Sequence, residues 1–237
     1  MSTETVVRTA PFVIQWRGQM KFKLIASLLL LAFASGATAQ ANRAGRIDHA
    51  DLAQRFKEVQ GNSKLSSALL KTGRSVATLC ANCQGEGGNS VKPEVPNLAR
   101  QNPAYLLEQV RQFADGRRLN TFMQGMIKAM TVDEKIAVVL YYSSHEVLAS
   151  QAVVDTKLIA KGKQYYLKTC WRCHGEDGHG NENFARIAGQ QPAYLNATLK
   201  RYRVGTGARV DPMMAANTRL MSDADIDAVT AYVASMR

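Results

Sequence analysis

The sequence has few cysteines, histidines and acidic residues, and it lacks the patterns of β-strands, of acid–base catalytic sites and of nucleic-acid-binding motifs. It has only four cysteines and four histidines, and its 19 acidic residues stand against 30 lysines and arginines. No segment alternates apolar and polar residues convincingly, and helical periodicity dominates, so we predict an all-α fold. No carboxylate pair is placed for acid–base chemistry and no nucleic-acid-binding motif is present, which argues against a hydrolase and against nucleic acid as a partner.

Long hydrophobic runs are also scarce, and the one that stands out lies near the N-terminus. The apolar run Leu24–Ala34 follows Lys21-Phe22-Lys23 and precedes the small residues Ala37-Thr38-Ala39. This order of basic, apolar and small residues predicts a signal peptide over residues 1–39, with Met20 as an alternative start. The run is short for a membrane span, and an uncleaved anchor is the competing interpretation. We therefore expect export to the periplasm.

The strongest motif in the chain is Cys170-Trp171-Arg172-Cys173-His174. Two cysteines separated by two residues and followed by histidine form the attachment signal for c-type haem. Cys170 and Cys173 are spaced to form thioethers to one porphyrin, and His174 is placed to ligate the iron from the proximal side. The sequence therefore predicts haem c as the cofactor.

A second, altered copy of this motif lies earlier in the chain, at Cys80-Ala81-Asn82-Cys83-Gln84. Glycine-rich segments follow both cysteine pairs, and Gln101–Leu106 repeats as Gln190–Leu195 at almost the same separation. Self-similarity at a fixed period indicates duplicated domains. We place the first domain at residues 40–148 and the second at residues 149–237. The last helices continue the repeat, and a constant separation of 90 residues aligns Tyr142 with Tyr232 and Ile136 with Ile226.

The methionines after residue 39 all lie late in a predicted domain. Met123 and Met214 occupy matched places, each eight residues before a predicted helix N-cap at Thr131 and Ser222. A thioether is a common sixth ligand of haem iron. We therefore assign Met214 as the distal ligand, with Met213 as its nearest rival, and Met123 as the matching residue of the first domain. Packing in the core is the alternative role of these side chains.

With these motifs the chain resembles dihaem cytochromes c of the cytochrome c4 type, over nearly all of the region after residue 39. The shared features are the two CxxC sites, the segments Pro96–Gln101 and Arg186–Gln190, the Tyr-Leu helix starts and the late methionines. The resemblance implies two tandem class I cytochrome c folds, His/Met ligation of both haems, and electron transfer to a terminal oxidase or reductase.

These features predict an exported carrier of single electrons and not an enzyme. The alternative is a haem-containing subunit of an oxidoreductase with an open first haem site. The basic chain suits acidic redox partner proteins or an anionic membrane surface.

Gln84 departs from the family pattern, which has histidine at this place. An amide is a weak iron ligand, and neither His145 nor His49 is expected to reach this iron. One interpretation is that the first cysteine pair forms a disulfide and binds no haem. Others are a haem with a weak proximal ligand that stays open to small ligands, an engineered substitution, a sequence error, and a thiol–disulfide exchange pair.

Overall fold

The computed structural model describes residues 49–148, 153–205, 209 and 211–237. Residues 48–237 form one compact unit. The predicted signal peptide, and the start of the first predicted domain, lie outside the described residues. Every regular element in the described part is a helix, which confirms the expected all-α class. None of these described helices is both long enough and apolar enough to cross a membrane.

The first half of the described chain, residues 49–148, is a succession of five helices. They are α1 His49–Gln60, α2 Ser63–Gln84, α3 Pro103–Ala114, α4 Thr121–Ala129 and α5 Val132–Ser143, with a short 3-10 turn at Glu86–Gly88. Proline is the first residue of α3. The first N–H groups of a helix have no partner within the helix, so the N–H that proline lacks costs no hydrogen bond there.

The second half, residues 153–237, repeats the order of α2 to α5. Its helices are α6 Thr156–Tyr165, α7 Trp171–His174, α8 Pro192–Val204, α9 Pro212–Thr218 and α10 Asp223–Ser235. A π-helical turn at Tyr166–Cys170 joins α6 to α7, so that α6, the turn and α7 together correspond to α2. Helix α1 has no counterpart among the described residues of this half.

Each half is built on a close contact between its cysteine-bearing helix and its last helix, at a glycine. A Cβ added to Gly73 of α2 would lie 2.2 Å from the carbonyl oxygen of Ala137 in α5. A Cβ added to Gly162 of α6 would lie 2.0 Å from the carbonyl oxygen of Ala228 in α10. Only glycine permits backbones to approach this closely.

These glycine contacts correct the predicted alignment of the last helices. Gly73 faces the Cβ of Tyr141, and Gly162 faces the Cβ of Tyr232. Tyr141, and not Tyr142, is therefore the counterpart of Tyr232. The prediction was wrong by one residue, because the last helices are separated by 91 residues and not by 90.

The capping boxes at the starts of α5 and α10 give the same corrected alignment, since Thr131 and Ser222 are the two N-caps. Ile226, fully buried in the second half, then matches Lys135, which is only 1% exposed. The Lys135 ammonium donates to the Met130 carbonyl, and burial lowers the pKa of this lysine. A lysine thus occupies an apolar core position in the first half.

Helix α1 covers one side of the first half. Its buried residues Leu52, Phe56 and Val59 lie on one side of the helix, which packs against α2 and α5. Arg55 of α1 forms an ion pair with Asp133 of α5 at 2.9 Å.

The two halves meet through two reciprocal glutamine contacts. The Gln101 side chain donates to the carbonyl of Arg186 at 2.8 Å and accepts from its N–H at 2.7 Å. The Gln190 side chain makes the same pair of bonds to Asn97, at 3.0 and 2.7 Å. All four residues are buried. Because each half makes the same contact to the other, the repeated segment around each glutamine holds the two halves together and does not form a site within one half.

Candidate haem site and its altered copy

The second site consists of Cys170, Cys173 and His174, held where the π-helical turn passes into α7. Gly175 ends this helix with a φ of 78°, a conformation that favours glycine. The backbone then turns sharply, since the N–H of Gly180 donates to the His174 carbonyl at 2.7 Å. The helix and the glycine loop together fix the three reactive side chains on one short stretch of backbone.

The His174 imidazole is held in a defined protonation state. Its Nδ1 donates to the Ala185 carbonyl at 2.9 Å, which leaves Nε2 as the unprotonated nitrogen of a neutral ring. Burial lowers the pKa of His174, although the bond to Ala185 and the charge of Asp211 oppose that shift. A neutral imidazole, oriented by a carbonyl at its other nitrogen, is the form that ligates metals.

A cavity of about 880 Å³, its open mouth included, lies directly against these groups. Both cysteines, His174, Met213 and Met214 line it, together with apolar side chains from α8 and α10. Met214 is half-buried, whereas Met213 is 55% exposed. The apolar lining, the two thiols and the neutral imidazole fit haem c at this site.

The first site lies at the end of α2, where Cys80, Cys83 and Gln84 precede Gly85 with a φ of 72°. A glycine with a positive φ therefore ends the helix that bears the motif at both sites. The Oε1 atom of Gln84 is buried and has no hydrogen-bond partner among the described residues. The thiols fit the attachment of a porphyrin, but the amide does not fit the role of a strong proximal ligand.

Neither cysteine pair is joined by a disulfide. Burial, and then the charge of Cys173, raise the pKa of Cys170 to about 12. Burial also raises the pKa of Cys80, although contact with Tyr142 opposes it. Because only a thiolate is a good nucleophile, the raised pKa of Cys80 disfavours a thiol–disulfide exchange role for that cysteine.

An aromatic ring beside the first cysteine has a different origin in each half. In the second half it is Tyr166 of the π-helical turn, packed edge-on against Tyr232 with ring centroids 5.4 Å apart. In the first half it is Tyr142 of α5, packed edge-on against Tyr141 at 5.3 Å. Sequence analysis missed this exchange, and the signal for it was the extra residue between the helix glycine and the first cysteine of the second half.

The predicted methionines occupy matched places in the structure. Met123 is in the first turn of α4, where its N–H donates to the Asn120 side chain at 2.9 Å. Met214 is in the first turn of α9, where its N–H donates to the Asp211 side chain, also at 2.9 Å. The two halves therefore present a methionine from the same turn of equivalent helices.

The other histidines with described side chains make contacts of their own. His145 lies over the Tyr141 ring, and its Nδ1 donates to the Tyr141 carbonyl at 2.6 Å. His179 lies 3.1 Å from the Asp177 carboxylate and contacts the Arg237 carbonyl at 3.2 Å. A basic side chain that sequence analysis missed does lie near the first site, since Lys92 Nζ is 3.7 Å from Cys83 Sγ.

Comparison with known proteins agrees with this geometry. The family model described as "Cytochrome c" matches residues 159–237. The cytochrome c4 of Thiocapsa roseopersicina is 31% identical over 168 residues, which cover 65% of this chain and 85% of that protein. The thiosulfate dehydrogenase electron acceptor of Thiomonas intermedia is 33% identical over 172 residues, which cover 67% of this chain and 79% of that protein.

A solved structure has a similar fold. The reduced recombinant cytochrome c4 from Pseudomonas stutzeri aligns with a TM-score of 0.65 and 27% identity, over 70% of this chain and 98% of that chain. Because the alignment covers 70% of this chain, the likeness extends beyond the half that the family model matches. This chain belongs to the cytochrome c4 family and is an electron-carrying c-type cytochrome.

Proposed function

We propose that the chain carries single electrons through one haem c held in the second half, with Cys170 and Cys173 as attachment points and His174 and Met214 as axial ligands. The observation that supports this best is the neutral, half-buried His174 on the same cavity as both thiols and Met214. Haem supplies one-electron redox chemistry when bound. The chain fixes its position, offers the ligands and keeps water from its faces with the apolar cavity lining.

The choice of Met214 over Met213 rests on exposure, because Met214 is half-buried and Met213 is 55% exposed. We expect Met214→His to retain the haem and to lower its reduction potential by on the order of 0.1 V, since nitrogen replaces a thioether. Met213→His is the matched control and should leave the potential unchanged. The measurement is a spectroscopic redox titration, and a shift in Met213→His alone would move the assignment by one residue.

We further propose that the first half, which belongs to a domain spanning residues 40–148, does not hold a low-spin haem. The orphaned amide of Gln84 supports this, because amide and thioether together ligate ferric iron weakly. Haem per polypeptide, measured by alkaline pyridine absorbance, should be close to one. Electron paramagnetic resonance should show one low-spin species, and two such species would contradict the proposal.

The physiological partner that we propose is an oxidoreductase of the periplasm that delivers electrons to this chain. The likeness to a thiosulfate dehydrogenase electron acceptor supports a partner of that class. The test is the rate at which a purified thiosulfate dehydrogenase reduces the oxidised protein when thiosulfate is present. Reduction should need both enzyme and thiosulfate and should slow as salt is added, because exposed charges steer such encounters. Reduction no faster than with the enzyme omitted would exclude this partner.

A further inference from the structure

The carbonyl that holds His174 belongs to a peptide unit that the first half also contacts. His174 Nδ1 donates to the Ala185 carbonyl at 2.9 Å. The N–H of the same peptide unit is that of Arg186, and it donates to the side-chain oxygen of Gln101 at 2.7 Å. One peptide unit therefore connects the imidazole in the second half to a glutamine of the first half.

The Gln101 side chain is fixed with its oxygen toward this peptide unit. Gln101 is only 6% exposed. Its Oε1 accepts from the N–H groups of Arg186 and Asn102, the latter at 3.0 Å, and its Nε2 donates to the Arg186 carbonyl at 2.8 Å. A reversed amide would face two donors with a donor and the carbonyl with an acceptor, so these contacts allow one orientation of the amide.

Asn102, also from the first half, holds the other end of the same segment. Its side-chain amide donates to the Phe184 carbonyl, and Phe184 lines the same cavity as His174. The first half thus binds the backbone on both sides of Ala185. The direction of the Ala185 carbonyl therefore depends on the first half as well as on the second.

Hydrogen bonds in series reinforce each other through the peptide unit that they share. An amide that donates through its N–H becomes a better acceptor at its carbonyl, and each such bond strengthens the next by about 10–30%. A stronger bond at the Nδ1–H of a ligating histidine makes Nε2 a more basic ligand. A more basic ligand favours ferric over ferrous iron, which lowers the reduction potential.

The first half contains the mirror image of this chain of bonds without the histidine. Gln190 accepts from the Asn97 N–H at 2.7 Å, and the carbonyl of that peptide unit is that of Pro96. The residue at the place of His174 is Gln84, whose Oε1 has no hydrogen-bond partner among the described residues. The same contact between the halves therefore reaches an imidazole in one direction only.

We propose that Gln101 of the first half is a positioning residue for the haem site of the second half. Through the peptide unit of Ala185 and Arg186 it orients and polarises the carbonyl that holds His174, and it thereby lowers the reduction potential of the haem. The inference rests on the proposed function, in which His174 ligates the iron. It gives the first half a role in electron transfer that needs no haem of its own.

The test compares Gln101→Leu with Gln190→Leu in the haem-loaded protein. Gln190→Leu is the matched control, because it removes the same pair of bonds across the junction but reaches no histidine. Haem per polypeptide and spin state are measured first for every protein. A parent protein without a low-spin haem would overturn the proposed function, and this inference with it; a parent that holds one leaves the outcome to Gln101 alone.

The first measurement is a spectroscopic redox titration. In Gln101→Leu the Ala185 carbonyl becomes a weaker acceptor, so the ratio of oxidised to reduced haem at a fixed applied potential should fall by about twofold or more. Gln190→Leu should keep the parent ratio. The proposal is overturned if Gln101→Leu also keeps that ratio, or if both variants change it equally, since an equal change would come from a loosened junction.

The second measurement follows the histidine bond itself by proton NMR of the reduced protein. The resonance of the His174 ring N–H should move upfield in Gln101→Leu, because its hydrogen bond weakens, and should stay in place in Gln190→Leu. An unmoved resonance in Gln101→Leu would contradict the proposed connection.

A third variant, Gln101→Glu, restores an oxygen acceptor for the Arg186 N–H. Its reduction potential should lie at or below that of the parent, and a potential as high as that of Gln101→Leu would overturn the proposal. Should the leucine variants fail to fold, Gln101→Met and Gln190→Met replace them, since methionine keeps the length of the side chain and loses the amide.

Discussion

Replacing Gln84 with histidine should restore a second ligated haem. In the second half His174 Nδ1 donates to the carbonyl of Ala185 at 2.9 Å. The carbonyl at the matched place in the first half belongs to Pro96, since the residues that follow make the same loop contacts in both halves. An imidazole introduced by Gln84→His would donate to that carbonyl and leave its other nitrogen for iron, with Met123 as the opposite ligand.

The magnitude of the change has two parts. Haem per chain should rise from one to two, both low-spin. The buried, unpartnered Oε1 of Gln84 costs about 1–3 kcal/mol, and its removal should stabilise the chain even before haem is considered. For a protein of this size about 1 kcal/mol corresponds to a rise of roughly 2–4 °C in melting temperature.

The assay is haem per polypeptide by alkaline pyridine absorbance, with spin state by electron paramagnetic resonance. Gln84→Asn is the matched control, because it keeps an amide and adds no imidazole, and it should stay at one low-spin haem. One haem in Gln84→His would refute the reasoning and show that the Tyr142 exchange or the buried Lys135 has closed the first pocket. Two haems in the parent protein would refute it as well.

Three further predictions follow from the fold and the leader. Lys135→Ile should stabilise the chain by about 1–3 kcal/mol at neutral pH, because an apolar side chain replaces a buried ammonium. Folding lowers the pKa of Lys135, so the stability of the parent protein should rise as the pH approaches 10.5, the ordinary pKa of lysine. The difference in unfolding free energy between Lys135→Ile and the parent, measured by denaturant titration, should therefore shrink at high pH. A difference that does not change with pH would contradict this. Gly162→Ala should destabilise by about 3 kcal/mol, because its Cβ would lie 2.0 Å from a carbonyl oxygen, and an unchanged melting temperature would show that the helices can separate. Intact mass of the exported protein should show cleavage after Ala39, and a mass that retains residues 24–34 would indicate an anchor.

The residues proposed to hold haem could be predicted from the sequence because the prediction uses short, fixed spacings. The motif at Cys170–His174 needs only one helical turn to bring its three side chains together. The choice of Met214 uses its distance to the capped start of the last helix, which is the same in both halves, and it stays a prediction. Proline marked the starts of α3 and α8 for reasons local to the first turn.

Only the tertiary structure decided which residues of the two halves correspond and how the halves meet. The sequence shows one extra residue before Cys170, but only the structure shows that a π-helical turn holds it and that Tyr142 takes the place of Tyr166. From the sequence Lys135 is expected at the surface. The equivalent glycine contacts of the two halves show that it occupies the buried position that Ile226 has in the second half. Arg209 is one basic residue among 30 in the sequence, and its burial depends on contacts with residues about a hundred positions away. Local spacing predicts which residues could hold haem, and long-range packing determines their surroundings, because burial is a property of the assembled chain.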